Sequence, residues 1–301
     1  MNLDLLPLAL ADGFSYAGLL FLVALGLTLI FGVMQILNVA HGSLYAFGGY
    51  TAATFAGWAA QRGASTPVLL ACLLAAAVVV GFTLGAIMEV GLLRRVQGKD
   101  PVVGLLITFA AFMIFEDVQK IIFGTQPYTA AEIVNRLGTL EIAGVTFTRY
   151  QLVMIPGVAV ATYLLLLYFM RRTRVGKQIV AVTHNREVAT ALGINARRIG
   201  FLTFVLGAIL GALGGALAAP TTSLLPGVGT DMIVLSFAVV ATAGLGQITG
   251  ALVAALIIGM ARSIAVYAAP EIEVVVPYLI MVLVLLVRPN GLFTVAQARK
   301  I

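Results

Sequence analysis

The feature that most constrains this chain is a run of 49 residues, from 13 to 61, that contains no Asp, Glu, Lys or Arg. A helix that crosses the ~30 Å hydrocarbon core of a bilayer needs about 20 apolar residues. The run is therefore too long for one such helix and long enough for two. Further uncharged runs occur at residues 63–88, 150–170, 199–230, 232–261 and 274–287.

The composition agrees with a membrane location. Of the 301 residues, 61% are hydrophobic and 10% are charged, and the mean hydropathy is +1.08. Soluble domains carry about 25% charged residues, so this composition excludes a disordered chain, a nucleic-acid-binding module and almost any soluble enzyme. The sequence predicts an all-α, polytopic transmembrane bundle that forms a single domain over residues 1–301.

The basic residues indicate the orientation of this bundle. Three clusters hold 13 of the 18 Lys and Arg residues, and the positive-inside rule places them in the cytoplasm. The same rule explains the net charge of +6 without nucleic acid. Segment 124–149 and the N-terminus are then external, and loop 171–198 is cytoplasmic. The clusters are Arg94, Arg95 and Lys99; seven residues from Arg171 to Arg198; and Arg288, Arg299 and Lys300.

The number of spans depends on the last third of the chain. Residues 232–245 would cover only about 21 Å as a helix, less than the ~30 Å core. We interpret them as a short helix that glycines break near residues 244–250. The sequence therefore predicts nine crossings, or eight with one re-entrant half-helix.

Motifs for energy conversion or catalysis are absent from the sequence. It contains no phosphate-binding Gly-x-x-x-x-Gly-Lys-Ser/Thr loop, no His-Glu-x-x-His, no paired cysteines and no cluster of carboxylates within a span. We therefore expect no cofactor, no metal and no enzymatic activity. Two ionisable residues within the spans have structural interpretations: Glu89 lies near Arg94 and a helix end, and Arg262 extends toward the outer headgroups.

Two patterns predict local structure. Gly207, Gly211 and Gly215 lie on one helix face, which predicts a helix-packing seam. In the basic loop, apolar residues recur with helical spacing between Ile179 and Leu192, and Gly193 is a typical helix-ending residue. This pattern predicts a short cytoplasmic helix beside the membrane, whereas an ordinary solvated loop would not need an apolar face.

This loop carries a family resemblance. Residues 187–193 resemble the Glu-Ala-Ala-x-x-x-Gly coupling loop of ABC importer permeases, with Val188 in place of the middle alanine. The chain as a whole resembles the permeases of branched-chain amino-acid ABC transporters, of the LivH type. Urea and short-chain amide permeases share the resembling segments, so these substrates stay open as alternatives. The segments, spread over nearly the full length, are residues 26–34, 38–42, 185–195 and 287–293.

The resemblance implies a complex in the bacterial inner membrane. A paralogous permease, two cytoplasmic ABC ATPases and a periplasmic substrate-binding protein would act with this chain, and the ATPases would hydrolyse ATP. A self-sufficient channel or secondary carrier is the alternative; a carrier would usually bind its coupling ion through groups at the membrane midplane, and no span carries a clear midplane acid. The residues implied to couple to the ATPase are Asn185, Arg186, Glu187, Ala189 and Gly193.

The translocation path is the last sequence-based expectation. Polar groups near the junction of the first two spans and among the glycines near 244–250 need partners in hydrocarbon. We expect an inner gate on the cytoplasmic side, formed by these polar residues together with the adjacent Gly42: Asn38, His41, Gly42 and Gln247. Hydroxyl groups are expected to line the path of a substrate that is bound only weakly: Thr28, Ser43, Tyr45 and Thr242.

Overall fold

The computed structural model describes residues 6–142 and 145–293. Arg299 and Lys300 of the third basic cluster lie outside the described residues. The first half consists of long helices joined by short connections. In chain order these are α1 (Leu6–Met34), α2 (His41–Gln61), α3 (Thr66–Val96) and α4 (Pro101–Phe123).

Segment 124–149 contains a short helix, α5 (Glu132–Leu137), and two strands, β1 (Thr139–Ile142) and β2 (Val145–Thr148). The strands pair antiparallel, with Thr139 opposite Thr148. The sequence analysis did not predict this hairpin, which is a short addition to an otherwise helical fold.

The second half contains the basic loop and the remaining apolar helices. A turn at Gly244–Gln247 separates α10 from α11, and the chain leaves the helix there with φ values of +100° at Gly244 and +81° at Gly246. In chain order the helices are α6 (Tyr150–Arg172), α7 (Arg174–His184), α8 (Arg186–Ala191), α9 (Ala196–Ala218), α10 (Val228–Ala243), α11 (Ile248–Ala268) and α12 (Val276–Val287).

The chain is a multi-pass membrane protein with a helical bundle fold. Six of the described helices, α1, α3, α4, α6, α9 and α11, are long and apolar enough to span a membrane. Two shorter apolar helices, α10 and α12, have 16 and 12 residues. Helix α2 has 21 residues, rich in glycine and alanine.

Helices α1 and α9 form the centre of the bundle, and α2, α3 and α11 pack against them. Close contacts between glycines fix this arrangement. A Cβ added at Gly207 would lie 2.7 Å from the carbonyl oxygen of Gly26, and one at Gly215 would overlap the carbonyl of Tyr45. The predicted packing seam is therefore confirmed: α1 and α2 approach α9 so closely that there is room only for hydrogen at these positions.

Candidate functional site

Loop 171–198 forms two helices where the sequence predicted one. The expectation of a continuous helix from residue 179 to 193 was wrong because Asn185 adopts an extended conformation, with φ −155° and ψ 104°. Its side chain accepts a hydrogen bond from the backbone N–H of Val188 at 3.0 Å. Asn185 therefore ends α7 and caps the N-terminus of α8.

Gly193 ends α8 in a way that requires glycine. Its φ is +84°, and nothing lies within 4 Å of a Cβ built there, so conformation rather than space selects the residue. The N–H of Ile194 donates to the carbonyl of Ala189, and the N–H of Gly193 donates to that of Thr190, both at 3.0 Å. This pair of hydrogen bonds is the Schellman motif, and together with the Asn185 cap it fixes both ends of a helix of only six residues.

The apolar face of the loop is divided between the protein and the solvent. Ile179, Val182 and Ala189 are buried against the bundle. Val188 is 53% exposed and Leu192 is 77% exposed. The spacing of four residues places Val188 and Leu192 on one side of α8, where they form a small apolar projection away from the bundle. The neighbouring side chains of Arg186 and Glu187 are exposed as well.

Two contacts connect this projection to the membrane helices. Arg186 donates a hydrogen bond of 3.0 Å to the side-chain oxygen of Gln97, at the end of α3. On α7, the methyl group of Thr183 lies 3.7 Å from the position of a Cβ at Gly32, near the inner end of α1. A displacement of α7 and α8 would therefore act on the inner ends of α1 and α3.

The expected gate lies deeper in the membrane than its sequence position suggested. His41 Nε2 is 3.0 Å from the carbonyl oxygen of Val23 in α1, and its ring packs against Gly26 and Gly211. Val23 is eleven residues from Met34, which is about 16 Å along a helix, or roughly half the hydrocarbon core. His41 therefore packs against the middle of α1 rather than against its last turn.

The chain connects α1 to α2 through a non-helical segment, residues 35–40. The side chain of Thr108 in α4 holds the segment: its hydroxyl donates to the carbonyl of Leu37 at 3.1 Å and accepts from the N–H of Val39 at 3.2 Å. Non-helical backbone at this depth has to be satisfied by protein. Sequence reasoning missed Thr108, although it is the one hydroxyl in the apolar run 101–115.

The expected gate residues do not form one cluster. Gly42 packs against Gly229 at the start of α10, and a Cβ on Gly229 would lie 2.7 Å from the carbonyl oxygen of Gly42. Gln247 is half-buried and follows Gly246, which lies against Gly32 near the inner end of α1. Gly32 and Gly26 are six residues apart, so Gln247 and His41 lie at levels about 9 Å apart.

The polar side chains of this region are buried within the helical bundle. Asn38 and His41 are 0% exposed, and neither the side-chain amide of Asn38 nor Nδ1 of His41 has a partner among the described residues. The hydroxyls expected to line the path are buried too. They belong to Thr28, Ser43, Tyr45 and Thr242.

Glu89 and Arg262, the two ionisable residues given structural interpretations from the sequence, have partners. Glu89 is buried and accepts a charge-assisted hydrogen bond of 2.7 Å from Arg94. Arg262 lies 3.8 Å from the carboxylate of Glu273 and over the ring of Tyr16. Within the described part of the chain, no three His, Cys, Asp or Glu residues are placed to hold a metal ion.

Comparison with known proteins gives the family. Residues 9–285 match the family model described as the branched-chain amino acid transport system permease component. The chain is 27% identical to LivH of Escherichia coli K12 over 298 residues, which cover 96% of this chain and 94% of that protein. It is 28% identical to BraD of Pseudomonas aeruginosa over 304 residues, which cover 97% of each.

Solved structures support the fold alone. PsaBC from Streptococcus pneumoniae in complex with Fab matches with a TM-score of 0.51 and 14% identity, covering 93% of this chain and 91% of that chain. The match of the family model over most of the described bundle decides the assignment. The chain belongs to the family of branched-chain amino acid transport permease components.

Proposed function

We propose that this chain forms the membrane path for leucine, isoleucine and valine in an ATP-driven importer of the bacterial inner membrane. LivH and BraD are named as permease proteins of high-affinity branched-chain amino acid transport, which favours these substrates over urea and short-chain amides. The partners are a paralogous permease, two cytoplasmic ATPases and a periplasmic binding protein. The observation that carries the proposal is the rigidly capped apolar projection of Val188 and Leu192 into the cytoplasm.

Reconstitution tests this function directly. Proteoliposomes that contain the permeases, the ATPases and the binding protein should accumulate leucine only when ATP is present on the ATPase side. Vesicles with this chain alone should show no uptake. Uptake by the chain alone would instead establish a channel or secondary carrier.

The coupling role belongs to α8. An exposed pair of apolar side chains suits a pocket on a soluble protein, because burying them removes apolar surface from water. Replacing Leu192 by Asp should abolish ATP-driven uptake and leave the chain folded in the membrane. The same change at Val180, which is 43% exposed on α7 but lies outside the motif, is the matched control and should keep uptake.

Two further variants separate conformation from contact. Gly193→Val should disrupt the end of α8, because a β-branched residue is strained at φ +84°. Glu187→Lys reverses the one acidic charge of α8 without changing its fold. Both should leave ATP hydrolysis running without uptake; unchanged transport by both variants would refute coupling through α8.

The gate role belongs to segment 35–40 with Asn38, His41 and Gly42. Asn38 is fully buried, whereas its neighbour Leu37 is 37% exposed. In a chain whose native Cys72 is replaced by Ser, a cysteine at position 38 should react with a cytoplasmic thiol reagent only in some nucleotide states. A cysteine at position 37 should react in all of them, and state-independent labelling at 38 would reject the gate.

Gln247 is the remaining gate candidate, near the inner end of α1. A cysteine there is half-exposed at the outset, so its labelling should change less between states than labelling at position 38. State-independent reactivity at position 247, with state-dependent reactivity at position 38, would remove Gln247 from the gate. The titration of the isolated chain with leucine should show binding no tighter than about millimolar, since specificity resides in the binding protein.

We infer nine crossings. α1 runs antiparallel to α9, as the contacts Gly26–Gly207 and Val23–Gly214 indicate. It also runs antiparallel to α11, as the contacts Gly13–Met260 and Ala17–Gly259 indicate. Helices α10 and α12 would cover about 24 and 18 Å, and for α10 the turns at 219–227 supply the missing length at the outer side. Nine crossings require the two termini on opposite sides of the membrane. Fluorescent fusions at each terminus test this, and termini on the same side would favour eight crossings.

A further inference from the structure

A groove with a volume of about 260 Å³ opens between the inner ends of α3 and α9, and its lining includes no residue of α8 or of segment 35–40. Three of its five lining residues are arginines, and the aromatic ring of Phe201 adds the one apolar side chain. The groove is therefore a basic surface of a size that accommodates a small anionic group. Its lining residues are Arg94, Asn195, Arg197, Arg198 and Phe201.

The positive charge of the groove is only partly compensated. Arg94 is paired with the buried carboxylate of Glu89 at 2.7 Å. No described carboxylate lies within 4.0 Å of the guanidinium groups of Arg197 or Arg198. Both arginines stand in the first turn of α9, a helix of 23 residues whose N-terminus adds a partial positive charge. The groove thus carries about two uncompensated positive charges at a helix N-terminus.

The groove also lies at the membrane surface. The last turns of α3 before it expose apolar side chains: Ile87 is 59% exposed, Val90 is 46% exposed and Leu92 is 36% exposed. Such side chains on the outside of a membrane bundle face lipid tails. Arg94 and Arg95 follow directly along the chain, so the groove stands at the height of the lipid headgroups on the cytoplasmic side.

We propose that this groove binds the headgroup phosphate of an anionic phospholipid in the cytoplasmic leaflet. Arg197 and Arg198 donate hydrogen bonds to the phosphate oxygens, which match the planar guanidinium fork. Phe201 and the exposed face of α3 contact the glycerol and the upper part of the acyl chains. A free phosphate would make the same polar contacts, but it would leave this apolar wall uncovered. Basic pockets at cytoplasmic helix ends are known to hold such lipids.

Native mass spectrometry of the full-length chain tests the proposal. The chain is purified in a neutral detergent with equimolar phosphatidylglycerol and phosphatidylcholine, and the lipid retained per chain is measured. The wild type should retain phosphatidylglycerol in preference, and Arg197→Gln/Arg198→Gln should weaken that retention by roughly tenfold. The matched control is Arg171→Gln/Arg172→Gln, two exposed arginines at the inner end of α6, which should behave like the wild type.

Two further measurements of lipid retention use the wild-type chain, so they do not depend on the folding of a variant. Raising the salt concentration should release phosphatidylglycerol, because exposed charge interactions are screened. Glycerol 3-phosphate at the same concentration as the lipid should not displace it. The proposal would be overturned by equal retention of the two lipids or by retention that does not change with salt. Unchanged retention in the groove variant, or loss of the lipid to glycerol 3-phosphate, would overturn it as well. The readout involves no transport, so its failure is distinct from a failure of the importer function.

Discussion

Helices α1 and α6 have nearly the same hydropathy but very different environments. The most apolar windows of the two helices have mean hydropathies of 2.5 and 2.2, yet 94% of that window is buried in α1 and 17% in α6. Apolar side chains are favourable against lipid and against protein alike, so hydropathy reports that a helix spans the membrane and not where it stands. Contacts between small residues determine the position instead.

Glycines show this difference most directly. In the centre, a Cβ at Gly26, Gly207 or Gly215 would meet backbone atoms of a neighbouring helix. In α6, nothing lies within 4 Å of a Cβ at Gly157. The same residue type is therefore a packing requirement in the seam and replaceable at the periphery.

The largest expected effect tests this contrast. Gly215→Val should destabilise the chain by about 3 kcal/mol or more, because the new side chain overlaps the backbone of Tyr45 and α2 cannot yield without leaving α9. Thermal unfolding of the detergent-solubilised chain, followed by size-exclusion chromatography, measures the loss.

Gly157→Val in α6 is the matched control. It faces open space in the lipid-facing part of the bundle, so a change within about 0.5 kcal/mol is expected. Equal destabilisation by the two substitutions would show that the seam does not determine the arrangement of the bundle.

A smaller loss of stability is expected when a buried hydroxyl is removed than when a glycine of the seam is replaced. Thr108→Val keeps the side-chain shape but removes the hydroxyl that binds Leu37 and Val39, leaving buried backbone groups unsatisfied. We expect a loss of about 1–3 kcal/mol and increased thiol labelling of a cysteine at position 38.

Thr83→Val is the control for this substitution. The hydroxyl of Thr83 donates to the carbonyl of Val79 within its own helix, at 2.7 Å and at the exposed surface. Its loss should change stability by less than about 0.5 kcal/mol. A similar loss for both threonines would indicate that segment 35–40 is held by packing alone.

The sequence alone predicted the features that follow from charge and local backbone rules. Uncharged runs identified the long spans, and the pattern at Gly193 predicted a helix end. The break at Asn185 was missed, because the helical spacing of apolar residues continues across it although the asparagine caps a second helix. The hairpin at 139–148 was missed too, since this segment carries no signal stronger than its β-branched side chains.

The depth of the gate could not be predicted in the same way. An uncharged run gives no sign of where its two helices separate, so Asn38 and His41 were assigned to the cytoplasmic boundary. Their depth depends on contacts distant in sequence, from Val23 in α1 and Thr108 in α4. The burial of the path hydroxyls likewise depends on helices that meet only after folding.

The smallest expected effect concerns a charge pair at the outer edge of the bundle. Arg262 and Glu273 are 3.8 Å apart, with side chains 28% and 30% exposed. Exposed ion pairs contribute about 0–1 kcal/mol and are screened by salt, so Glu273→Gln should cost less than about 1 kcal/mol. Arg262→Gln should cost slightly more, because it also removes the cation from the ring of Tyr16. Unfolding temperatures at low and high salt measure both, and the difference between variant and wild type should shrink as salt rises. A loss comparable to that of Gly215→Val would mean that charge, rather than close packing, sets the position of α11.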